Sequence, residues 1–409
     1  MQAAVRTEAK PRINTTMYPV LFAISFVHLL NDSMQSVIPA LFPILENAMH
    51  LSYAQLGWIA FALNMTSSIM QPVVGLYTDK KSSPYMLPIG MGFSLLGMVG
   101  LAFAGNFAMI LLSVIFIGLG SASFHPEGSR VAYMAAGNRR GLAQSIYQVG
   151  GNSGQSLAPL MTALIFVPLG QFGSIWFTLV AALAIFVLMF VSNWYSKQLV
   201  YFPRNKKATK TTKKVNEKRK RQIIFAISLL IFVVFARSWY HAGISNFYQF
   251  YLINDYGLSI KGAQYYIFAF LAAGVLGTFL GGPLGDRFGK RNMILFSLLA
   301  SAPLALLLPY LPLNWVYPII MLLGFILLSS FSVTVVYAQE LIPGMVGLTS
   351  GLIVGLAFGM GALGSVVLGK LADVFGLPNI MIFCSLLPLL GILTVFLPSD
   401  KKLKQWEME

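Results

Sequence analysis

The chain has 409 residues, of which 57% are hydrophobic and 10% charged, and its mean hydropathy is +0.73. Soluble domains carry about a quarter charged residues, so this composition excludes a soluble enzyme or binding module and places most of the chain in lipid. The formal charge of +15, from 28 basic and 13 acidic residues, would suit nucleic acid only if the basic residues gathered on one binding face, and they do not.

A bilayer core of about 30 Å takes roughly 20 apolar residues per helix. By that measure the sequence holds twelve spans, at 17–46, 53–77, 84–104, 107–135, 141–167, 171–196, 222–253, 262–284, 291–311, 314–340, 345–374 and 378–398. Gly and Pro interrupt several of them, which neighbouring helices can accommodate. The short alternating segments of a transmembrane β-barrel do not appear. The first apolar run follows basic residues but is too long and too polar at its centre for a cleaved leader, so it reads as the first span.

The basic residues fall between spans in a regular way. Arg6, Lys10 and Arg12 precede the first span, Lys80 and Lys81 follow the second, and Arg139 and Arg140 follow the fourth. The stretch 197–221 holds eleven more, Arg287, Lys290 and Arg291 follow the eighth span, and Lys401, Lys402 and Lys404 follow the last. Alternating spans put every cluster on one side, with Lys261 the main exception opposite. This is the positive-inside pattern: both termini are expected in the cytoplasm, with the basic loops near anionic lipid head groups and no nucleic-acid partner. Cys384, the only cysteine, can form no internal disulfide and has no metal-ligand spacing, so it reads as a core residue.

The basic stretch divides the chain into a tail (1–16), a six-helix bundle (17–196), a cytoplasmic linker (197–221), a second six-helix bundle (222–398) and a tail (399–409). The halves repeat. Asp286 in GPLGDRFGKR lies 207 positions after Asp79 in GLYTDKK, and Gly347 lies 206 after Gly141. The repeated motif is G-x-x-x-D-[RK]-x-G-[RK]-[RK]. Its second copy is Gly282, Asp286, Arg287, Gly289, Lys290 and Arg291; the first keeps Gly75, Asp79 and Lys80 but has Ser82 and Pro84 at the later positions. Glycine permits the tight turn, and the aspartate can bridge helix ends and basic residues, so the motif reads as a gate on the cytoplasmic side. Six plus six spans with parallel repeats and this motif resemble the major facilitator superfamily of secondary transporters. Glycines four apart (Gly150 and Gly154; Gly347, Gly351, Gly355 and Gly359) let helices approach closely. Ala158-Pro159 stands where antiporters of that superfamily usually show Gly-Pro.

Polar residues inside the spans mark the candidate site. A charged group at the midplane costs roughly 2.5–3.5 kcal/mol on insertion scales, so it must face a cavity or a partner. In VHLLNDSMQSVIPALFPIL, His28 and Asp32 are four apart on one face, with Asn31 beside them and Gln35 a turn further on. Asp32, Glu127, His28 and Arg130 are the expected proton-coupling residues. In FHPEGSRVAYM, Glu127 and Arg130 are three apart and can pair, His125 points elsewhere, and Pro126 with Gly128 predicts a bend. In ARSWYHAGISNFYQFY, Arg237, Tyr240 or His241, Ser245 and Tyr248 share a stripe; the arginine fork suits phosphate or phosphonate. Gln144, Gln148 and Asn152 add a polar stripe on span five, and Tyr337, Gln339 and Glu340 lie near the cytoplasmic end of span ten, where Glu340 can neutralise basic loops. The expected substrate-binding set is Arg237, His241, Tyr240, Asn31, Gln35, His125, Gln148, Asn152, Tyr248 and Tyr337.

At finer grain, LNDSMQSVIPALFPIL, MQPVVGLYTDK, LPIGMGFSLLGM, FHPEGSRVAYMA, GLAQSIYQVGGNSG, VVYAQELIPG and GLAFGMGALG together resemble the bacterial fosmidomycin resistance family. That resemblance implies a proton-driven exporter in the bacterial inner membrane, acting on an anionic phosphonate drug and using no cofactor beyond the proton gradient. A monomer is expected. Proton-coupled uptake of a small anionic metabolite has the same fold and charge layout. A membrane-embedded enzyme would need a catalytic constellation, and a channel a filter; neither is present in the sequence.

Overall fold

The computed structural model describes residues 15–80, 83–137, 140–199, 217–342 and 346–408, and all the elements among them are helical. The first half comprises α1 (Tyr18–Ala40, continued after a break by Phe42–Met49), α2 (Tyr53–Lys80), α3 (Met86–Ala102), α4 (Phe107–Ala135), α5 (Arg140–Met161) and α6 (Trp176–Gln198). The second half comprises α7 (Glu217–Ala242, continued by Tyr248–Asn254), α8 (Ile260–Phe288), α9 (Lys290–Leu307), α10 (Leu313–Leu328 and Phe331–Leu341), α11 (Val346–Phe375) and α12 (Leu377–Leu386, tightening to a 3₁₀ helix over Leu387–Phe396). These are twelve spans in two six-helix halves. A short terminal helix, α13 (Asp400–Met408), follows.

Lipid dictates the exterior. Trp176, Leu179, Phe186 and Phe190 of α6 are exposed along one side, a surface that acyl chains can cover favourably. Inside, small residues bring helices together. Gly150 and Gly154 of α5 lie against the backbone carbonyls of Ser25 and Leu29 on α1, with no room for a Cβ.

Among the described residues, the halves hydrogen-bond to each other at the end away from the termini. Pro43 has no N–H, so the Pro39 carbonyl four residues earlier loses its helical donor. Gln249 Nε2, from the second half, donates to that carbonyl (2.8 Å), and Gln264 Nε2 donates to Ala40 O (3.2 Å) and to Gln249 Oε1 (2.7 Å). Asp373, at the end of α11, accepts the N–H groups of Tyr53 and Ala54, each at 2.9 Å. A carboxylate is thus set on the positive N-terminus of α2 from the opposite half. Gly57 of α2 packs on the Ser365 carbonyl and Gly369 of α11 on that of Tyr53.

A second acidic cap works at the other end, within the second half. Asp400 at the start of α13 accepts the N–H of Lys290 (2.8 Å) and of Arg291 (3.3 Å) at the start of α9. Lys290 Nζ also meets Glu340 of α10 at 2.8 Å.

Candidate functional site

The first half concentrates its buried charge in two clusters. Asp32, 3% exposed, is the centre of one. Asn31 Nδ2 donates to its Oδ1 (2.9 Å) and Gln155 Nε2 to its Oδ2 (3.0 Å). His28 Nε2 lies 3.5 Å from Oδ2 and His125 Nε2 lies 3.7 Å from Oδ1. The other nitrogen of His28, Nδ1, donates to the Tyr147 carbonyl (2.8 Å), while the ring stacks on Tyr147 with centroids 4.1 Å apart. Since Nδ1 carries that proton, a second proton on Nε2 makes the ring a cation facing Asp32. Gly151 of α5 leaves space for this pair; a Cβ there would meet Asp32 Oδ2 at 2.9 Å.

Glu127 is the centre of the second cluster, with no exposure. Arg130 Nη1 lies 2.8 Å from its Oε1, and the Tyr195 hydroxyl of α6 donates to its Oε2 (2.8 Å). Arg130 also donates to Thr78 O (3.3 Å) and the Tyr195 hydroxyl (3.4 Å), so the pair ties α4 to α2 and α6. Hydrogen bonds to charged groups contribute about 1.5–3 kcal/mol. Tyr195→Phe is therefore expected to lower thermal stability by about that amount, read in a thermal unfolding series of the purified protein; an unchanged midpoint would remove Tyr195 from the network.

The second half is built differently. Arg237 of α7 is 5% exposed and directs Nη1 to Ser330 Oγ (3.4 Å) and Thr334 Oγ1 (3.3 Å) of α10. Its guanidinium stands 5.2 Å over the Phe331 ring. His241, one turn on, meets Ser245 Oγ through Nδ1 (3.5 Å).

Several sequence expectations change here. His125 turns to Asp32 on α1 rather than to the Glu127–Arg130 pair, on a helix that continues through Pro126. Tyr240 and Tyr248 are buried, 1% and 0% exposed. A π-helical turn over Gly243–Phe247 accommodates an extra residue and rotates everything after it, which carries Tyr248 into the bundle beside Tyr251. Tyr337 is also buried and donates its hydroxyl to Pro398 O (2.7 Å), tying α10 to the end of α12 rather than lining a cavity. Gln148 and Asn152 bond to each other (3.1 Å), and Gln35 is half-buried without taking part in either cluster. Of the motif between α2 and α3, Gly75 is described, while the side chains of Asp79 and Lys80, like that of Gln144, lie outside the described residues. In the second copy Gly282 has open space around it, Asp286 and Arg287 are exposed, and Gly289 adopts φ +92°, a left-handed turn that admits Asp400 to the start of α9. Arg291 Nη1 reaches Leu397 O (3.4 Å), so these basic residues grip the chain terminus of their own half.

The Major Facilitator Superfamily profile matches residues 21–362. The chain belongs to that superfamily. The transporter is 60% identical over 401 residues to "Uncharacterized MFS-type transporter YfnC" of Bacillus subtilis (strain 168), covering 98% of this chain and 97% of that one. It is 48% identical over 399 residues to the fosmidomycin resistance protein of Escherichia coli (strain K12), covering 98% and 96%. Among solved structures, a bacterial homolog of the human lysosomal transporter Spinster, inward-facing and unoccupied, superposes with a TM-score of 0.71 at 18% identity over 95% of each chain. The nucleoside transporter NupG superposes with the same score of 0.71 at 13% identity, over 92% of this chain and 98% of that one. These last two share the fold with this transporter. It is a multi-pass membrane transporter of small molecules and not an enzyme.

Three contributors escape the sequence reading. Gln155 continues the Gln148–Asn152 stripe by one further turn and is within reach of that pattern. Tyr195 in SNWYSKQ and the hydroxyls around Arg237 carry no local signal, because their partners sit on other helices.

Proposed function

We propose that this transporter exports an anionic phosphonate drug of the fosmidomycin type across the bacterial inner membrane in exchange for protons, with both termini in the cytoplasm. The observation that carries the reading is the division of charge between the halves. The first half buries a carboxylate between two imidazoles, and the second buries a guanidinium with no carboxylate within 4.0 Å among the described residues. The first set is suited to holding a proton and the second to an anion. The 48% identity to the fosmidomycin resistance protein supports the drug class, and the one-sided basic loops support the orientation.

In this scheme a proton enters between His28 Nε2 and Asp32, neutralising the carboxylate or making the imidazolium that pairs with it. Either event changes what the cluster on α1, α4 and α5 holds together. The two halves then rock about the site, so that the outer seal and an inner closure alternate. Proton influx down its gradient drives the anion outward.

The test uses inverted vesicles with an acid interior and a trapped pH-sensitive dye. Adding fosmidomycin is expected to release protons from vesicles holding the transporter and to leave vesicles without it unchanged. Proton movement in the opposite sense, on addition of a small anionic metabolite to right-side-out vesicles, would favour uptake. Silence from folded, membrane-inserted protein would overturn the drug assignment.

A further inference from the structure

We infer that the second half contains a discrete oxyanion subsite made by Arg237, Ser330 and Thr334 at the break in α10, and that the neutrality of Thr334 sets its preference for a phosphonate or phosphate group. The inference rests on the export reading for its role in the cycle, but its binding chemistry stands on the local structure.

Three observations converge on it. First, Arg237 is buried, and among the described residues its bonds go to hydroxyls and its guanidinium lies over an aromatic ring, with no carboxylate within 4.0 Å. Buried charges are paired, since an isolated one costs far more than a hydroxyl can return. The two bonds from Nη1, at 3.4 and 3.3 Å, are long and leave most of the five guanidinium N–H groups for another acceptor. Ser297 of α9 fixes the floor by donating to Ser330 Oγ (2.6 Å), and Thr334 directs its own proton to Ser330 O (2.7 Å).

Second, α10 is broken. Its second segment, Phe331–Leu341, begins at Ser330, whose side chain does not cap it. A helix N-terminus carries a partial positive charge that attracts anions and repels cations. Here a guanidinium is stacked over Phe331, the first residue of that segment, so two positive ends meet with no counter-charge among the described residues. Broken helices aimed at anionic groups are a recurring way for transporters to bind substrate at mid-membrane.

Third, the internal repeat shows what was replaced. Thr334 lies 207 positions after Glu127, and Tyr337 lies 207 after Arg130, the offset that separates Asp79 from Asp286. Where the first half has a buried carboxylate and its arginine, the second has a hydroxyl and a phenol. The equivalent helix α4 runs unbroken through Phe107–Ala135. A carboxylate at 334 would satisfy both Arg237 and the helix N-terminus. Its absence leaves the place for one that arrives with the ligand.

The test is calorimetric titration of the purified full-length transporter with methylphosphonate, then fosmidomycin. Thr334→Asp supplies the missing carboxylate internally, and at least a tenfold loss of methylphosphonate affinity is expected with unfolding temperature held or raised. Should the aspartate variant fail to fold, Arg237→Gln serves instead, with the same loss expected. Undiminished binding in a folded Thr334→Asp or Arg237→Gln variant would overturn the subsite. Binding that follows these expectations in protein whose vesicles show no drug-driven proton release would uphold the subsite and sink the export reading.

Discussion

Asp32→Asn is expected to reduce drug-driven proton movement to the level of vesicles without the transporter, while the protein still inserts and folds. The substitution keeps the side chain's shape and removes its charge and its ability to hold a proton. Its surroundings make the effect sharp. Asn31 and Gln155 both donate to this carboxylate, at 2.9 and 3.0 Å, so an amide in its place would put one N–H against another donor until Gln155 turns over. That adjustment costs little, because Gln155 can present its oxygen instead. Loss of the negative charge also leaves His28 and His125 without a counter-ion, and protonation of either ring becomes unfavourable. The measurement is the dye signal in energised vesicles, with expression and unfolding temperature as controls. A variant that folds and still exchanges drug for protons would assign Asp32 a structural role and move coupling to Glu127.

Gly57→Leu is expected to abolish transport by a different route, holding the halves apart at the end away from the termini. Gly57 lies against the Ser365 carbonyl, and a side chain there meets backbone, which cannot swing aside. The whole of α2 must then withdraw from α11, separating Tyr53 and Ala54 from Asp373 and straining the Gln249–Pro39 bond nearby. Each bundle keeps its own core, so the protein should remain folded. Spin labels placed on α2 and α11 at that end are expected to report a longer separation than in the parent protein. The single native cysteine, Cys384, is buried and interferes little with such labelling. An unchanged distance distribution together with full transport would show that the seal observed in this structure is dispensable.

The fold can be read from the sequence because lipid allows few solutions: about 20 apolar residues per crossing, with basic residues gathered on one side. Glu127 and Arg130 are legible for a similar reason, since residues three apart on a helix meet whatever the rest of the chain does. His125 is not, because its partner sits on α1 and only packing brings the two helices together. Tyr248 escapes because a single π-helical turn over Gly243–Phe247 rotates the end of α7 that carries it against the end that carries Arg237, and no local residue pattern announces it. Tyr337 escapes because a polar group inside a span can bind a backbone carbonyl of its own half as readily as a ligand. Arg237 is recognisable as an anion-seeking residue from its type alone; the break in α10 that gives it a helix N-terminus is hidden in an apolar run.

The seal at the end away from the termini also bears on how membrane voltage acts on this transporter. Carrying one elementary charge across a membrane changes its energy by about 2.3 kcal/mol per 100 mV. Gln249, Gln264 and the carbonyls of Pro39 and Ala40 are all neutral, so parting them moves almost no charge through the field. Asp373, the one formal charge among these contacts, is exposed at the far end of α11, outside most of the potential drop. Opening that end should therefore proceed at a rate nearly independent of membrane potential. Electrical sensitivity would instead enter the cycle through the passage of the proton and the anion.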